Sequence, residues 1–359
     1  MKIIDWYILK RYLATFFVMI LLFIPIGIMV DLSEKVDKMI DNEAPAGAII
    51  QYYIDFTFYF ANLLFPIFLF LSIIWFTSKL ANNTEITAIL SSGVSFARFL
   101  RPYLIGASII AFIAFVMGMF IVPNASEGYN EFKYKYLKKH SDERETTNLF
   151  NQLNDNDYLY VSSFDPRTDI GYNFTLEHFD GNQLKYKISA RNIRWIEKDS
   201  TYRLTTYVKR LIGKENDSLV RQSRLDTLFN FKLEDLTPVS YAAETKNLFE
   251  LNDFIEKERK KGSANINTYL VVKYKRWSLP VTAFILTFIA VAVSSIKRRG
   301  GMGVNLALGI SLAFIFIFFD KIFSTIAERS TSFSPLLAVS LPNIVFGLLA
   351  LYLLNNAKR

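Results

Sequence analysis

Residues 99–140 read FLRPYLIGASIIAFIAFVMGMFIVPNASEGYNEFKYKYLKKH, and the change of character along this stretch decides the architecture. Its first part, 99–122, is apolar over a length that crosses a hydrocarbon core of about 30 Å, which takes roughly 20 residues of helix. From Pro123 the composition turns polar, and 124–140 reads as a helical extension that carries the chain out of the membrane. The sequence stays polar to about residue 268.

Five more apolar runs of spanning length flank this polar segment, at 12–30, 56–76, 277–296, 304–323 and 336–354. The hydrophobic excess, 52% of 359 residues, is thus gathered into runs instead of being spread as a soluble core requires. The first run reads as a retained helix, because it exceeds a signal-peptide core and Asp31-Leu32-Ser33 offers no small-x-small cleavage site. The expected fold is a membrane α+β protein: six transmembrane helices in two three-helix halves, 1–122 and 269–359, with an extracytoplasmic domain inserted at 123–268. No internal repeat relates the halves.

Lysine and arginine in short loops mark the cytoplasmic side. Lys2, Lys10 and Arg11, then Lys79, Arg98 and Arg101, then Lys297-Arg298-Arg299, and finally Lys358-Arg359 all fall on one side, which places both termini in the cytoplasm. The opposite loop, 31–49, sets Lys35 and Lys38 against Asp31, Glu34, Asp37, Asp41 and Glu43, and the loop after the fifth span carries Arg329 beside Glu328. The formal charge of +8 comes from the membrane halves, since 123–268 balances 23 basic against 23 acidic residues. That distribution signals orientation and lipid contact, not nucleic acid.

Within the inserted domain, 158–162, 172–179, 184–197 and 202–211 alternate with the period of half-buried strands, and Asp180-Gly181 supplies a tight turn. Short strands in this number fit a β-sandwich or jelly-roll-like domain. An amphipathic helix at 248–261 leads back toward the fourth span.

Several chemistries are excluded. With no cysteine there are no disulfides and no thiolate metal sites, and His140 and His178 have no motif-spaced carboxylate or nucleophile. No phosphate-binding G-x-x-x-x-G-K-[ST] occurs: Gly213-Lys214 lacks its other elements, and Gly300, Gly301 and Gly303 read as a connector. The chain binds no cofactor or metal of its own, and any ATP hydrolysis must come from a partner.

The loop between the second and third spans, about 83–93, reads as a short helix: Asn83 or Thr84 as N-cap, Glu85 in the first turn, Ile86, Ile89 and Leu90 on one apolar face, Gly93 at the C-cap. It is either a connector lying flat on the membrane or a coupling helix that docks into a cytoplasmic motor subunit. The run Leu80-Ala81-x-x-x-Glu85-Ile86 followed by Ser92-Gly93-Val94-Ser95 resembles the coupling-helix region of the LptF/LptG permeases of lipopolysaccharide export. Ile4-Asp5-x-Tyr7-Ile8, Val30-Asp31, Val122-Pro123, Asp320-Lys321-Ile322-Phe323 and Leu341-Pro342-x-x-x-Phe346 are similar as well, and the first and fifth spans lean toward the LptG member.

This resemblance implies a non-catalytic permease in the inner membrane of a Gram-negative bacterium. Its implied partners are a second permease of the family, a cytoplasmic LptB-like ATPase dimer that uses ATP and Mg, and periplasmic LptC/LptA-like bridge proteins. Lipopolysaccharide would be lifted from the outer leaflet of that membrane, with Glu85 and its helix transmitting ATPase motion. The sequence departs from the family at the outer end of the first span, where Met29-Val30-Asp31 stands in place of a basic residue.

Read from the residues alone, Lys273, Lys275 and Arg276 lie on the side the charge rule disfavours. They either snorkel to ordinary headgroups or join Lys35, Lys38 and Lys321 in an anion site for headgroup phosphates. Three other readings stand beside export, of which an intramembrane enzyme lacks catalytic residues at recognisable spacing. A lipoprotein-release permease is disfavoured because its large domain follows the first helix, and a membrane-anchored sensor or scaffold has no use for a coupling helix.

Overall fold

The computed structural model describes residues 2–137, 147–165, 168–197, 199–213, 215–229, 231, 241–263, 265–296, 301–330 and 333–357. His140, Lys214 and the basic clusters 297–299 and 358–359 lie outside the described residues. The chain divides into two compact units, one of Met1–Phe132 with Asn267–Arg359 and the other of Lys133–Ile266.

The first unit is helical, and among the described residues six helices are long and apolar enough to cross a membrane, the third of them running on from Phe96 to Leu137. Helix α1 runs unbroken from Ile3 to Asp41, about 58 Å at 1.5 Å per residue, so it extends well beyond the apolar run at 12–30. The expected second span, 56–76, is not one helix. α2 covers Ala46–Leu63, α3 covers Phe65–Asn82, and Leu64 separates them. Pro66 explains the break: it has no N–H to donate to Asn62, and its ring crowds that carbonyl. Of the two, α3 is the spanning helix.

After the short α4, Glu85–Ser91, α5 covers Phe96–Val116 and α6 covers Val122–Phe132, with wider π turns at Met117–Ile121 and Lys133–Leu137. The helix passes through Val122-Pro123, where the apolar run ends. The π turn just before Pro123 relieves the clash that a proline ring makes with the preceding turn.

Strands β1 (Thr147–Gln152), β2 (Asp157–Asp165), β3 (Ile170–Asp180), β4 (Gln183–Ile196), β5 (Thr201–Leu211) and β6 (Ser218–Thr227) form the second unit's sheet. They pair antiparallel in sequence order as one open sheet. The crossing connections of a jelly-roll are therefore absent among the described residues. Leu159, Val161, Phe174, Leu176, Ile193 and Leu204 alternate onto a buried face, where Phe229 and Phe231 pack. Gly181 turns β3 into β4 at φ +59°, a value that glycine adopts without penalty. Helix α7, Leu248–Lys260, opens on a reciprocal cap: Asn247 accepts from the backbone of Phe249 and Glu250, and Glu250 accepts from the backbone of Asn247.

Helices α8 (Ile266–Ser294), α9 (Gly301–Arg329) and α10 (Pro335–Ala357) complete the first unit. Small residues and hydrogen bonds join its helices, as expected where lipid supplies no hydrophobic force between them. Gly309 of α9 sits against Ile74 of α3, one turn from Asn305, which donates to Ser78 at 3.1 Å. Tyr12 and Tyr103 pack at 5.9 Å between centroids; Tyr103 bonds Thr77 at 2.9 Å, and Tyr12 lies 3.4 Å from Thr287.

Gly106 receives the Tyr12 ring, and a Cβ there falls 2.4 Å from it, whereas a Cβ at Gly118 meets nothing within 4 Å. Gly106→Val is expected to cost about 1–3 kcal/mol, the range for overpacking, and Gly118→Ala to be neutral or slightly stabilising. Thermal unfolding of both variants in detergent checks this pair.

Candidate functional site

Two polar clusters stand at opposite ends of α1, where a long apolar helix would otherwise have no polar partners. At its N-terminal end, Asp5 accepts from the backbone of Lys2 at 2.7 Å and from the Arg98 guanidinium at 2.5 Å. One half-turn on, the Tyr7 hydroxyl donates to Glu85 at 2.9 Å, and the Arg11 guanidinium lies over the Tyr7 ring at 4.6 Å. Glu85 also accepts from the Asn83 side chain at 3.1 Å.

Glu85 opens α4, as the carboxylate preference of a helix start requires, and Thr84 precedes it at φ +60°. Gly93 ends the segment at φ +87°, as its C-cap role demands. Ile86, Ile89 and Leu90 do share one face, but that face is turned inward. Ile86 is 3% exposed in the apolar core of the helical unit, with Ile89 and Leu90 packed against the same core. The outward surface of α4 consists of Thr84, Thr87, Ala88, Ser91 and Ser92. The Ser95 hydroxyl then accepts from the Arg98 backbone at the start of α5.

At the other end of α1, Asp31 and Lys35 form an ion pair one turn apart. The Tyr52 hydroxyl donates to Asp31 at 2.9 Å and accepts from Lys35 at 3.0 Å. The Lys35 ammonium also lies 5.7 and 5.9 Å from the ring centroids of Tyr52 and Tyr129. Lys275 is paired as well, with Asp320 at 2.9 Å. Asp320 thus looks across to α8 and not to its neighbour Lys321, because adjacent helical residues diverge. Of the expected anion-site residues, Lys38 and Lys321 are exposed and Lys273 and Arg276 half-buried, while Lys35 and Lys275 are already neutralised.

Between the two clusters α1 is bare. Phe17, Leu21, Ile26 and Met29 are exposed, and a cleft of about 520 Å³ is lined by Pro25, Ile26, Met29, Val30, Ser33 and Glu34. The aromatic residues of α1 and α9 divide accordingly: Phe16 and Phe316 are buried in the core, Phe23 rests on Phe68, and Phe17, Phe314 and Phe318 face outward.

In the sheet unit, the fold supplies His178 with a carboxylate that no sequence motif marked: its Nδ1 lies 2.7 Å from Asp157, and its ring stacks on Tyr186 at 4.9 Å. No group of three or more metal-binding side chains occurs among the described residues. Arg203, assisted by Arg224, holds the Asp226 carboxyl down to about 2, so this cross-strand pair stays ionised at neutral pH. Among the described residues of this unit, neither pair sets a nucleophile beside a base.

Asp5, Tyr7 and Asp31 were singled out in the sequence only as part of the family resemblance; their pairing with Arg98, Glu85 and Tyr52 was not foreseen. Separations of 78 and 93 residues leave no local pattern for the first two. The available signal was an acid and a tyrosine set close together at the start of an apolar helix, where polar groups need partners.

A search of curated proteins found no match. A sequence family described as "Lipopolysaccharide export system permease LptF/LptG" matches residues 6–356, from the first turn of α1 to the end of α10. The chain therefore belongs to the LptF/LptG family of lipopolysaccharide export permeases.

Proposed function

We propose that this permease works as the non-catalytic membrane half of an ATP-driven extractor. It draws lipopolysaccharide from the outer leaflet of the inner membrane and passes it, by way of the Lys133–Ile266 unit, to a periplasmic bridge. ATP is hydrolysed by a cytoplasmic ATPase dimer under α4, and a second permease of the family completes the lipid path. The observation that carries this reading is α4 itself: a short helix with an inward apolar face, an outward face of small residues, most of them hydroxylic, and Glu85 at its entry. Such a helix is anchored well enough to transmit force and presents a surface that another protein can grip. The apolar outward face of α1 and its cleft suit acyl chains, and the exposed Lys38 and Lys321 suit headgroup phosphates.

The anchoring separates two kinds of substitution. Glu85→Lys is expected to lower both partner ATPase stimulation and lipid release from proteoliposomes by about tenfold or more, in line with the coupling energies that link such sites. A scaffold would show neither loss. Ile86→Ala should instead lower thermal stability, by about 2–5 kcal/mol for a truncated core isoleucine.

Orientation has its own test, because a chain without cysteine reports on any single one introduced. With both termini cytoplasmic, a Ser92→Cys variant should react with a membrane-impermeant maleimide in inverted vesicles and stay unlabelled in intact spheroplasts. The reverse pattern would refute the assignment.

The headgroup role predicts that Lys38→Glu with Lys321→Glu weakens retention of lipopolysaccharide on the purified permease, read as lipid carried through gel filtration. Lys275→Ala should act differently and destabilise the protein, because it leaves Asp320 without its partner.

A further inference from the structure

Taking the coupling role of α4 as given, we propose that Tyr7 and the Asp5–Arg98 pair are positioning residues that bind α1 to the coupling segment, so that displacement of α4 is delivered to the cleft on α1. The segment from Asn83 to Arg98 meets the first two turns of α1 at two points. At its entry, Glu85 accepts from Tyr7 at 2.9 Å; at its exit, Arg98 donates to Asp5 at 2.5 Å. Both contacts involve an ionised partner, the stronger class of hydrogen bond. A segment held at one point can pivot about it, whereas one held at both ends drags its neighbour along.

The geometry of α1 completes the argument. It is one continuous helix from Ile3 to Asp41, and Pro25, where the cleft begins, lies about 27 Å beyond Tyr7 at 1.5 Å per residue. Between them Ile8, Tyr12 and Phe16 turn into the core while the opposite side stays bare. A helix packed on one side only shifts more readily than one enclosed on all sides, and packed elements pass on discrete displacements. Glu85 then has two duties. Its position at the head of α4 serves the motor, and its carboxylate holds Tyr7.

The test uses the full-length permease purified with its ATPase and reconstituted in vesicles containing lipopolysaccharide. Met29→Cys, inside the cleft, carries a polarity-sensitive fluorophore as the single label; a non-hydrolysable ATP analogue is added for the emission reading, and ATP for release and hydrolysis. The unmodified chain is expected to show a nucleotide-dependent emission shift. Tyr7→Phe, which removes one oxygen, and Asp5→Asn should each reduce that shift and the lipid released per ATP by about fivefold, the lower end of measured coupling factors. ATPase rate should remain within about twofold, well inside the tenfold that one such charged contact is worth. Asp5→Glu, which keeps the charge, should retain the shift, an outcome that a general loss of folding does not produce.

An unchanged shift and unchanged release per ATP in the Tyr7→Phe/Asp5→Asn double variant would overturn the inference while leaving the export reading intact. A wild-type complex that shows no nucleotide response overturns both, and so reports the failure of the coupling role separately.

Discussion

Hydrocarbon neither donates nor accepts a hydrogen bond, so the polar groups that this chain carries into the helical unit are driven to find partners within the protein, with the Tyr53 hydroxyl and the Asn305 carbonyl oxygen as exceptions. The interior is arranged around that constraint. Thr282 donates to Asn343 at 2.9 Å and Asn343 to Ser278 at 2.9 Å, which joins α8 to α10. Asn305 joins α9 to α3, Tyr103 joins α5 to α3, and Tyr12 brings α1 beside Thr287 of α8. Ionised groups follow the same rule at the two ends of α1, where Asp5, Asp31 and Lys35 are each paired. The middle of α1, whose 16–30 stretch carries no polar side chain, is open on its outward side, as are apolar stretches of α5, α9 and α10 (Phe112, Phe318, Leu348).

This distribution gives the helical unit a stiff part and a loose part. Tyr12 and Tyr103, which reach across to other helices, sit in a shared apolar core with α4's inward face. The apolar face of α1 has no such commitments, and the cleft beside Pro25 lies on it. For a lipid-handling permease that asymmetry is useful, because acyl chains exchange readily against a surface that makes no directional bonds. Lys35 illustrates the other side of the arrangement. Its charge is spent on Asp31, Tyr52 and Tyr129, so it fixes the outer turns of α1 to α2 and α6.

How much of this could be read from the sequence follows from the range of the forces involved. Spanning helices are written in local composition: α1, α9 and α10 contain the apolar runs expected of them, α8 holds all but the last two residues of its run, and the run at 99–122 extends from α5 through the π turn to the first residue of α6. The break at Leu64 was also written locally, in Pro66, but the continuous hydrophobicity of 56–76 concealed it. Strands β2 to β5 followed from alternation, whereas β6 is exposed along most of its length and carries little alternation to read. Whether a set of strands closes, crosses or simply meanders is fixed by long-range pairing, which explains why a jelly-roll was expected and an open sheet found. At the candidate site, Glu85 and Gly93 were legible because capping is local. The inward turn of Ile86, the Tyr7–Glu85 bond and the Lys275–Asp320 pair depend on which helices become neighbours. A basic residue near a membrane surface looks the same in sequence whether an aspartate or a lipid phosphate neutralises it.

If the proposed export role holds, this permease is one part of a motor whose ATPase grips α4. The most direct test is the composition of the particle extracted from native membranes in a mild detergent, measured by mass. The expected particle is a complex holding a soluble ATPase dimer and two six-helix permease chains, from which Glu85→Lys releases the ATPase. A particle that contains this chain but no ATPase would contradict that role.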